Sequence, residues 1–489
     1  MKKNHFIKLQ QFCWLLLSAV LPELMISCAT DGYDDETFSS SVQNAQLESP
    51  TEDNITITSS TDGATQTISW PVVHGAGGYL VSVIELGDPD VYIVQDSIVD
   101  GCAISCKRSS DANYQVSVKT LGNTKYNNAE ALSATVKSYN TFTPTYATIP
   151  DGSDLYQYFQ ANAIPTDTVG ELCYDLVEGG SYTVSDVLDF GGAYITLRTT
   201  SKSNRATVTY GEAGTIRTSA PMTLKNLIVD CSASGDAAVG LSKTPDESIL
   251  NKNGGSGGYY IISGGAVYIT GCLFKGVKGN FLFDNNTKYC IETFLMDNCQ
   301  VEVNVSEEVK AQAHFYFKQG FVKDFTVKNS SWWSVGEDGF KYFMQYSNGG
   351  RLDRAGYDTS EGQSVNFLNN SFYKIGRNDS QWANYSAFVG RNYTWFDIEN
   401  NIWQDCMPNI AKRILGQRLP STYDQCTFNY NTYWKDGAMA TDWYDDSGNF
   451  YDNGTVLTSD PAFKDPANGD LTPQGAEQIQ YQTGDPRWF

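Results

Sequence analysis

Between Lys341 and Arg418 the basic residues match or outnumber the acids, in a chain whose formal net charge is -22. Arg351, Arg354, Arg377, Arg391, Arg413 and Arg418 dominate that basic set, and Trp382, Tyr385, Tyr393 and Trp395 are interleaved with it. A guanidinium fork can grip both oxygens of a carboxylate, and an aromatic ring offers a flat apolar face. Arg351, Arg354, Trp382, Arg391, Trp395, Arg413 and Arg418 are therefore the ligand-binding candidates, lining a groove for an acidic sugar chain. The same arginines have a structural use, pinning long loops through backbone carbonyls and through Asp353, Asp379 and Asp405.

Catalytic chemistry has fewer candidates. The stretch Gly336-Glu337-Asp338-Gly339-Phe340-Lys341 sets an acid beside a base. A Ca²⁺-dependent lyase needs carboxylates that hold the ion against the substrate acid, plus a base. Asp338 and Lys341 are the candidates for that role, and no cluster of further Asp ligands accompanies them. Glycosidic hydrolysis needs two carboxyl groups flanking the bond. Asp445-Asp446 are adjacent, but in an acidic, Gly-rich stretch that reads as a solvated loop. The chain has three histidines, and only His74 and His314 lie beyond its leading segment. A His-ligated metal site or a His-based triad has almost nothing to be built from. No metal and no cofactor is expected, with Ca²⁺ entering only if the protein is a lyase. A pI of about 4.5 repels phosphate backbones and argues against a nucleic-acid partner.

The first residues carry a different chemistry. Lys2 and Lys3 precede an apolar run from Phe12 to Leu21, which ends at Met25-Ile26-Ser27-Cys28. This is the pattern of a secretory signal, and the run is too short to span a membrane. A Cys directly after a small residue resembles a lipobox. Residues 1–27 read as a lipoprotein signal peptide and Cys28 as the lipidated residue. Residues 28–47 are an acidic, flexible tether; their run from Asp31 to Glu36 resembles the export signal of Bacteroidetes-type surface lipoproteins. Together these imply an outer-membrane, cell-surface location with lipid held through Cys28. Beyond Cys28 the cysteines are odd in number and irregularly spaced, which is no disulfide framework. Cys102 and Cys106 could pair in an oxidising compartment.

Two patterns must position these residues. From 48 to 140 short strands alternate with period two, in Thr67-Ile68-Ser69-Trp70, Tyr79 to Val83 and Tyr114 to Val118, which predicts a small antiparallel β-sandwich. Trp70 between sheets and Tyr114 at a corner resemble a fibronectin type III module. From 145 to 489 a phrase recurs. Its copies are Thr223–Val229, Tyr268–Phe274, Leu295–Val301, Thr326–Trp332, Asn366–Phe372, Asp397–Trp403 and Thr427–Tyr433, with later copies roughly 30 to 40 residues apart. Each has an apolar residue, a turn at Asn or Gly and a large residue beyond. No crossover helix fits between copies, so each is one coil of a parallel β-helix stacked on the next. Asn370, Asn401 and Asn431 are assigned the left-handed turn position and an amide ladder. Trp332, Phe372, Trp403 and Tyr433 are assigned an internal ring stack. Asp154–Asn162 has helical spacing and suits a cap on the open sheet end.

The later third carries a family resemblance. Gly349-Gly350-Arg351, Arg354 to Tyr357, Lys412 to Gly416, Ser459 to Leu471 and Gly484 to Trp488 resemble a family of Bacteroidetes-type surface lipoproteins. These pair a fibronectin type III module with a pectin-lyase-like, right-handed parallel β-helix. The resemblance implies an all-β chain and work on complex, often uronate-rich polysaccharides at the cell surface, alongside an outer-membrane glycan transporter. It leaves the reaction open, because this fold hosts lyases, hydrolases and pure binders. A non-catalytic polysaccharide binder is the leading expectation. A polysaccharide lyase or glycosidase and a structural or adhesive surface protein are the alternatives.

Overall fold

The computed structural model describes residues 42–60, 65–87, 90–109, 112–165, 170–255, 257–309, 312–376, 381–407, 410–415, 425–440, 452 and 454–489. Cys28, Arg377, Arg418, Asp445 and Asp446 fall outside these residues. The chain divides into two compact units, the first ending at Thr143 and the second running from Pro144 to Phe489.

In the first unit the described strands are β1 (Thr56–Ser59), β2 (Thr65–Ser69), β3 (Tyr79–Leu86), β4 (Val91–Val99), β5 (Ala103–Lys107), β6 (Asn113–Thr120) and β7 (Thr135–Asn140). They form two antiparallel sheets, in the orders β1-β2-β5 and β4-β3-β6-β7. Alternation decides what is inside: Tyr79, Val81 and Val83 from β3, and Tyr114, Val116 and Val118 from β6, share one core with Ile55, Ile68 and Trp70. Trp70 meets Tyr79 edge-on at 5.3 Å. The Tyr114 hydroxyl accepts from the Ser109 amide at 2.7 Å and donates to Glu85 at 3.0 Å. Cys102 and Cys106 are both free thiols. Four residues of extended strand separate them by about 13 Å, beyond the roughly 7 Å between Cα atoms that a disulfide tolerates.

The second unit starts with the strand Thr145–Ile149 and helix α1 (Leu155–Ala161). Asp154 caps α1 by accepting from the Gln157 amide at 3.0 Å, and Leu155 and Phe159 point into the core. Three parallel sheets follow. Sheet A gathers the strands from Thr145–Ile149 and Leu172–Leu176 through Thr394–Glu399 to Cys426–Asn429. Sheet B runs from Ser181–Val184 to Thr432–Lys435, and sheet C from Val187–Asp189 to Gln381–Asn384. The chain visits A, B and C in turn and each strand pairs with its counterpart one coil on, which is a parallel β-helix. Leu295, Thr326, Asn366, Asp397 and Thr427 are register partners in successive coils, as the recurring phrase requires.

The A-to-B turn has two residues, and the structure corrects their roles. The left-handed residue is the first of each pair: Asn298 (φ 53°), Asn329 (49°), Asn369 (55°), Asn400 (55°) and Tyr430 (52°). Asn370, Asn401 and Asn431 come second and point inward. Asn370 Nδ2 donates to Asn401 Oδ1 at 2.9 Å, Asn401 Nδ2 to Asn431 Oδ1 at 3.0 Å, and Asn431 Nδ2 to the Asp452 carboxylate at 3.1 Å. Each backbone amide joins the same acceptor as its own side chain. In the other direction the ladder continues through Ser330 to Cys299. The ring stack is internal as expected: Trp403 lies parallel to Phe372 at 5.5 Å and to Tyr433 at 5.3 Å.

The last residues lie on the outer face of sheet B. Phe463 and Leu471 pack on Trp333 and Ile402. Buried Asp485 accepts from the Ser331 hydroxyl at 2.7 Å, and the Trp488 indole donates to that oxygen at 2.9 Å. Gly469 (φ +83°) must lack a side chain, since a Cβ there would come within 2.7 Å of the Trp333 ring.

Candidate functional site

Two loops from sheet C to sheet A, residues 346–362 and 385–393, hold the candidates Arg351, Arg354 and Arg391. Arg351 opens a short 3-10 turn (Leu352–Arg354), and its Nε binds Asp353 Oδ1 at 2.7 Å. The Tyr393 hydroxyl donates to the same oxygen at 2.7 Å. Burial pushes the Asp353 carboxyl up, but the Tyr393 hydroxyl and the Arg351 guanidinium outweigh it and hold it below the usual range. Burial, reinforced by Asp353, pushes the Tyr393 phenol up to about 12. Arg391 donates from Nε to the Ala387 carbonyl at 3.4 Å, while its own carbonyl accepts from Gln425 at 3.0 Å. Both guanidinium groups act near the Tyr393 phenol. Arg351, Asp353, Tyr393 and Arg391 thus form one group, in which both the binding and the loop-pinning uses of arginine are present.

Trp395 leads out of that group along the strand Thr394–Glu399 and is 44% exposed. One edge of its indole lies against Gly362 (φ +74°), where a Cβ would sit 2.9 Å from the ring. Ser364 is its register partner one coil back, followed by Asp324. The Ser364 hydroxyl donates to Asp324 at 2.9 Å. Asn366, the neighbour of Asp397, donates to Thr326 at 3.0 Å. This polar outer face of sheet A was not assigned from sequence. Its only signal is the polar alternation within the recurring phrase.

The other described candidates lie elsewhere. Trp382 is fully buried, stacked on Phe343 at 4.4 Å and edge-on to Phe372 and Trp403. It fills the coil and cannot face a surface ligand. Asp338 is also fully buried, with its Oδ2 2.9 Å from His314 Nε2 and accepting from the Gly376 amide at 2.7 Å. Its Oδ1 accepts from the Phe340 amide at 3.4 Å, and the enclosed carboxylate ties the 336–340 turn to neighbouring coils instead of facing a surface ligand. The Lys341 amide bonds the Gln312 carbonyl, and its ammonium lies over the Tyr342 ring at 5.5 Å. With Asp338 enclosed, it cannot act beside Lys341 on a surface substrate. Arg413 belongs to helix α2 (Ile410–Ile414), which buries Ile410, Ala411 and Ile414 and packs on the strand Gln381–Asn384. Arg354 lies in the turn that meets Gly254 and Asn251 of another loop. Among the described residues no group of three His, Cys, Asp or Glu side chains is placed to hold a metal ion.

Two solved structures of pectate lyase PelI from Erwinia chrysanthemi resemble the chain weakly. The complex with tetragalacturonic acid is 11% identical with a TM-score of 0.18, and the match covers 69% of this chain and 88% of that one. The other structure is 12% identical with a TM-score of 0.15, covering 73% and 85%. No curated protein matches the sequence significantly. Three family models match in succession, each described as a domain of unknown function: DUF4992 over residues 1–179, DUF4957 over 180–335 and DUF5123 over 365–488.

Proposed function

We propose that this chain is a non-catalytic, lipid-anchored binder of uronate-containing polysaccharide at the outer cell surface. The lipid on Cys28 holds it to the outer membrane. The first unit, read as a fibronectin type III spacer, carries the β-helix away from that membrane, and a glycan transporter is the natural partner. The observation that carries the reading is the Arg351–Asp353–Tyr393 contact, with Arg391 two residues before Tyr393 and exposed Trp395 two residues after it. A chain of charge -22 repels an acidic polymer at long range. At physiological salt the screening length is about 8 Å, so a local arginine pair outweighs distant acids. The burial of Asp338 favours binding over lyase chemistry.

Affinity electrophoresis against polygalacturonate, glucuronoxylan and two neutral chains, hydroxyethylcellulose and galactomannan, tests this. At least one acidic polymer should retard the protein. Replacing Arg351 and Arg391 together by Ala should weaken that retention about tenfold or more, the loss of roughly one charge-assisted hydrogen bond, and leave neutral polymers unaffected. Retention by neutral polymers alone would overturn it. For the anchor, Cys28→Ser should release the protein from membranes on fractionation; a variant that stays in the membrane pellet contradicts the lipid assignment.

A further inference from the structure

The surface beyond the arginine pair has the opposite charge, and this bears on the ligand. Trp395 is flanked on the outer face of sheet A by carboxylates. Asp397 lies two residues along the same strand, about 7 Å away on the same side. Glu399 follows it, and its carboxylate accepts from Asn429 at 2.6 Å. Asp324 is two coils back in the Trp395 row, and Glu361 adjoins the Gly362 that supports the indole. Two described cations adjoin them: Lys328, in the Glu399 row and 3.5 Å from Asp297, and Lys323. Lys323 is shared between Asp324 and Glu361 at 3.5 Å each and lies over the Tyr357 ring.

A uronate ring placed on Trp395 would set its carboxylate within roughly 7 to 10 Å of these acids, and like charges at that separation repel. An uncharged ring would meet a flat aromatic face and a set of hydrogen-bond acceptors. One Asp397 oxygen is enclosed and has no hydrogen-bond partner, so this carboxylate keeps accepting capacity that its neighbours do not use. Burial, with Glu399 adding to it, raises the Asp397 carboxyl, and burial likewise raises Asp324. Poorly hydrated carboxylates have most to gain from a hydroxyl donor and most to lose from a second anion.

We propose that the site takes a heteropolysaccharide in which neutral sugars accompany uronic acids, with a neutral ring stacked on Trp395 and hydrogen-bonded to Asp397, and a uronate held by Arg351 and Arg391. This rests on the polysaccharide-binding reading and narrows it. A polymer of uronic acid alone satisfies the arginines but is repelled at Trp395, and a wholly neutral polymer satisfies Trp395 but not the arginines.

The test compares polygalacturonate, glucuronoxylan and the same glucuronoxylan after chemical reduction of its carboxyl groups, on the full mature chain. Native glucuronoxylan should bind about tenfold or more tightly than either of the others. Trp395→Ala should remove most of that advantage. Asp397→Asn with Asp324→Asn should raise the affinity for polygalacturonate several-fold, and no purely structural role predicts that gain. Trp395→Leu, which keeps an apolar group over Gly362, serves as the second variant if Trp395→Ala unfolds. Arginine-dependent binding in which polygalacturonate equals or exceeds glucuronoxylan would overturn this proposal while leaving the broader reading intact. Equal binding of native and reduced glucuronoxylan, insensitive to Arg351 and Arg391, would overturn both.

Discussion

The A-to-B turn and the C-to-A loops are both corners of the same coil, yet they are built on different principles. At the A-to-B turn the later coils, from Asn329-Ser330 to Tyr430-Asn431, repeat one solution, a left-handed residue followed by an inward polar side chain bonded to its counterpart one coil on. Position and partner are the same group, so the corner is buried and periodic. At the C-to-A corner the loops differ in length and each side chain finds its own partner: Arg351 takes Asp353, Arg391 takes Ala387, Tyr357 takes Glu292. The stacked corner can absorb little change because each member holds two neighbours. The looped corner can exchange residues singly, and it is where a surface can specialise for a ligand.

That contrast predicts a graded response to substitution. The largest loss belongs inside the coil. Trp382→Ala should cost about 3 to 5 kcal/mol through the cavity left beside Phe343, Phe372 and Trp403, whereas Trp395→Ala should leave the melting temperature nearly unchanged. Equal stability of the two variants would contradict the burial assignment. Asn401→Ala comes next, because it removes amide bonds to Asn370, Asn431 and the Phe367 carbonyl at about 1 to 3 kcal/mol. An unchanged melting temperature would show that the coils do not stack in this register.

The ladder also ends on a titratable group. Burial raises the Asp452 carboxyl from 3.8 to about 6, outweighing its hydrogen bonds from Asn431 and Tyr433, and Asp284 rises to about 6 for the same main reason. A carboxyl whose folded value lies above its unfolded one favours the folded state in its protonated form. Its contribution is complete below the unfolded value and is lost as pH rises through the folded one, here between about pH 4 and 6. Asp452→Asn keeps an acceptor for Asn431 and should flatten the fall in melting temperature across that window. A slope identical to that of the unsubstituted protein would count against the ladder terminus. Smallest of all is Arg351→Ala. Its partly exposed pair with Asp353 contributes under about 1 kcal/mol, so thermal scans should scarcely register it even where binding does.

The same contrast explains what the sequence disclosed. The recurring phrase was legible because stacking forces every coil to reuse residue types at one spacing, and the internal rings at 332, 372, 403 and 433 followed from it. The turn register was misread by one residue because Asn369-Asn370 and Asn400-Asn401 offer an Asn at both positions. Tyr430-Asn431 is the pair that distinguishes them, since only the second position keeps the amide. Trp382 was misplaced because sheet C strands are two to four residues long and carry no phrase, so a core Trp among arginines looks like a lining one. The Asp338–His314 contact joins residues 24 positions apart, and no local spacing announces it. Arg351 and Arg391 were singled out by composition alone; the contacts of Arg351 with Asp353 and of Arg391 with Ala387 depend on loop geometry that no period encodes.

Salt dependence of glucuronoxylan binding tests the central claim most directly. Affinities of the unsubstituted chain, Arg351→Ala/Arg391→Ala and Trp395→Ala should be measured from low salt to about 1 M, where the screening length falls to about 3 Å. The account predicts that the unsubstituted chain weakens steeply with salt, that the arginine variant weakens less from a lower start, and that the Trp395 deficit persists at every salt concentration. Binding that is independent of salt, or a double arginine variant indistinguishable from the unsubstituted chain, would contradict it.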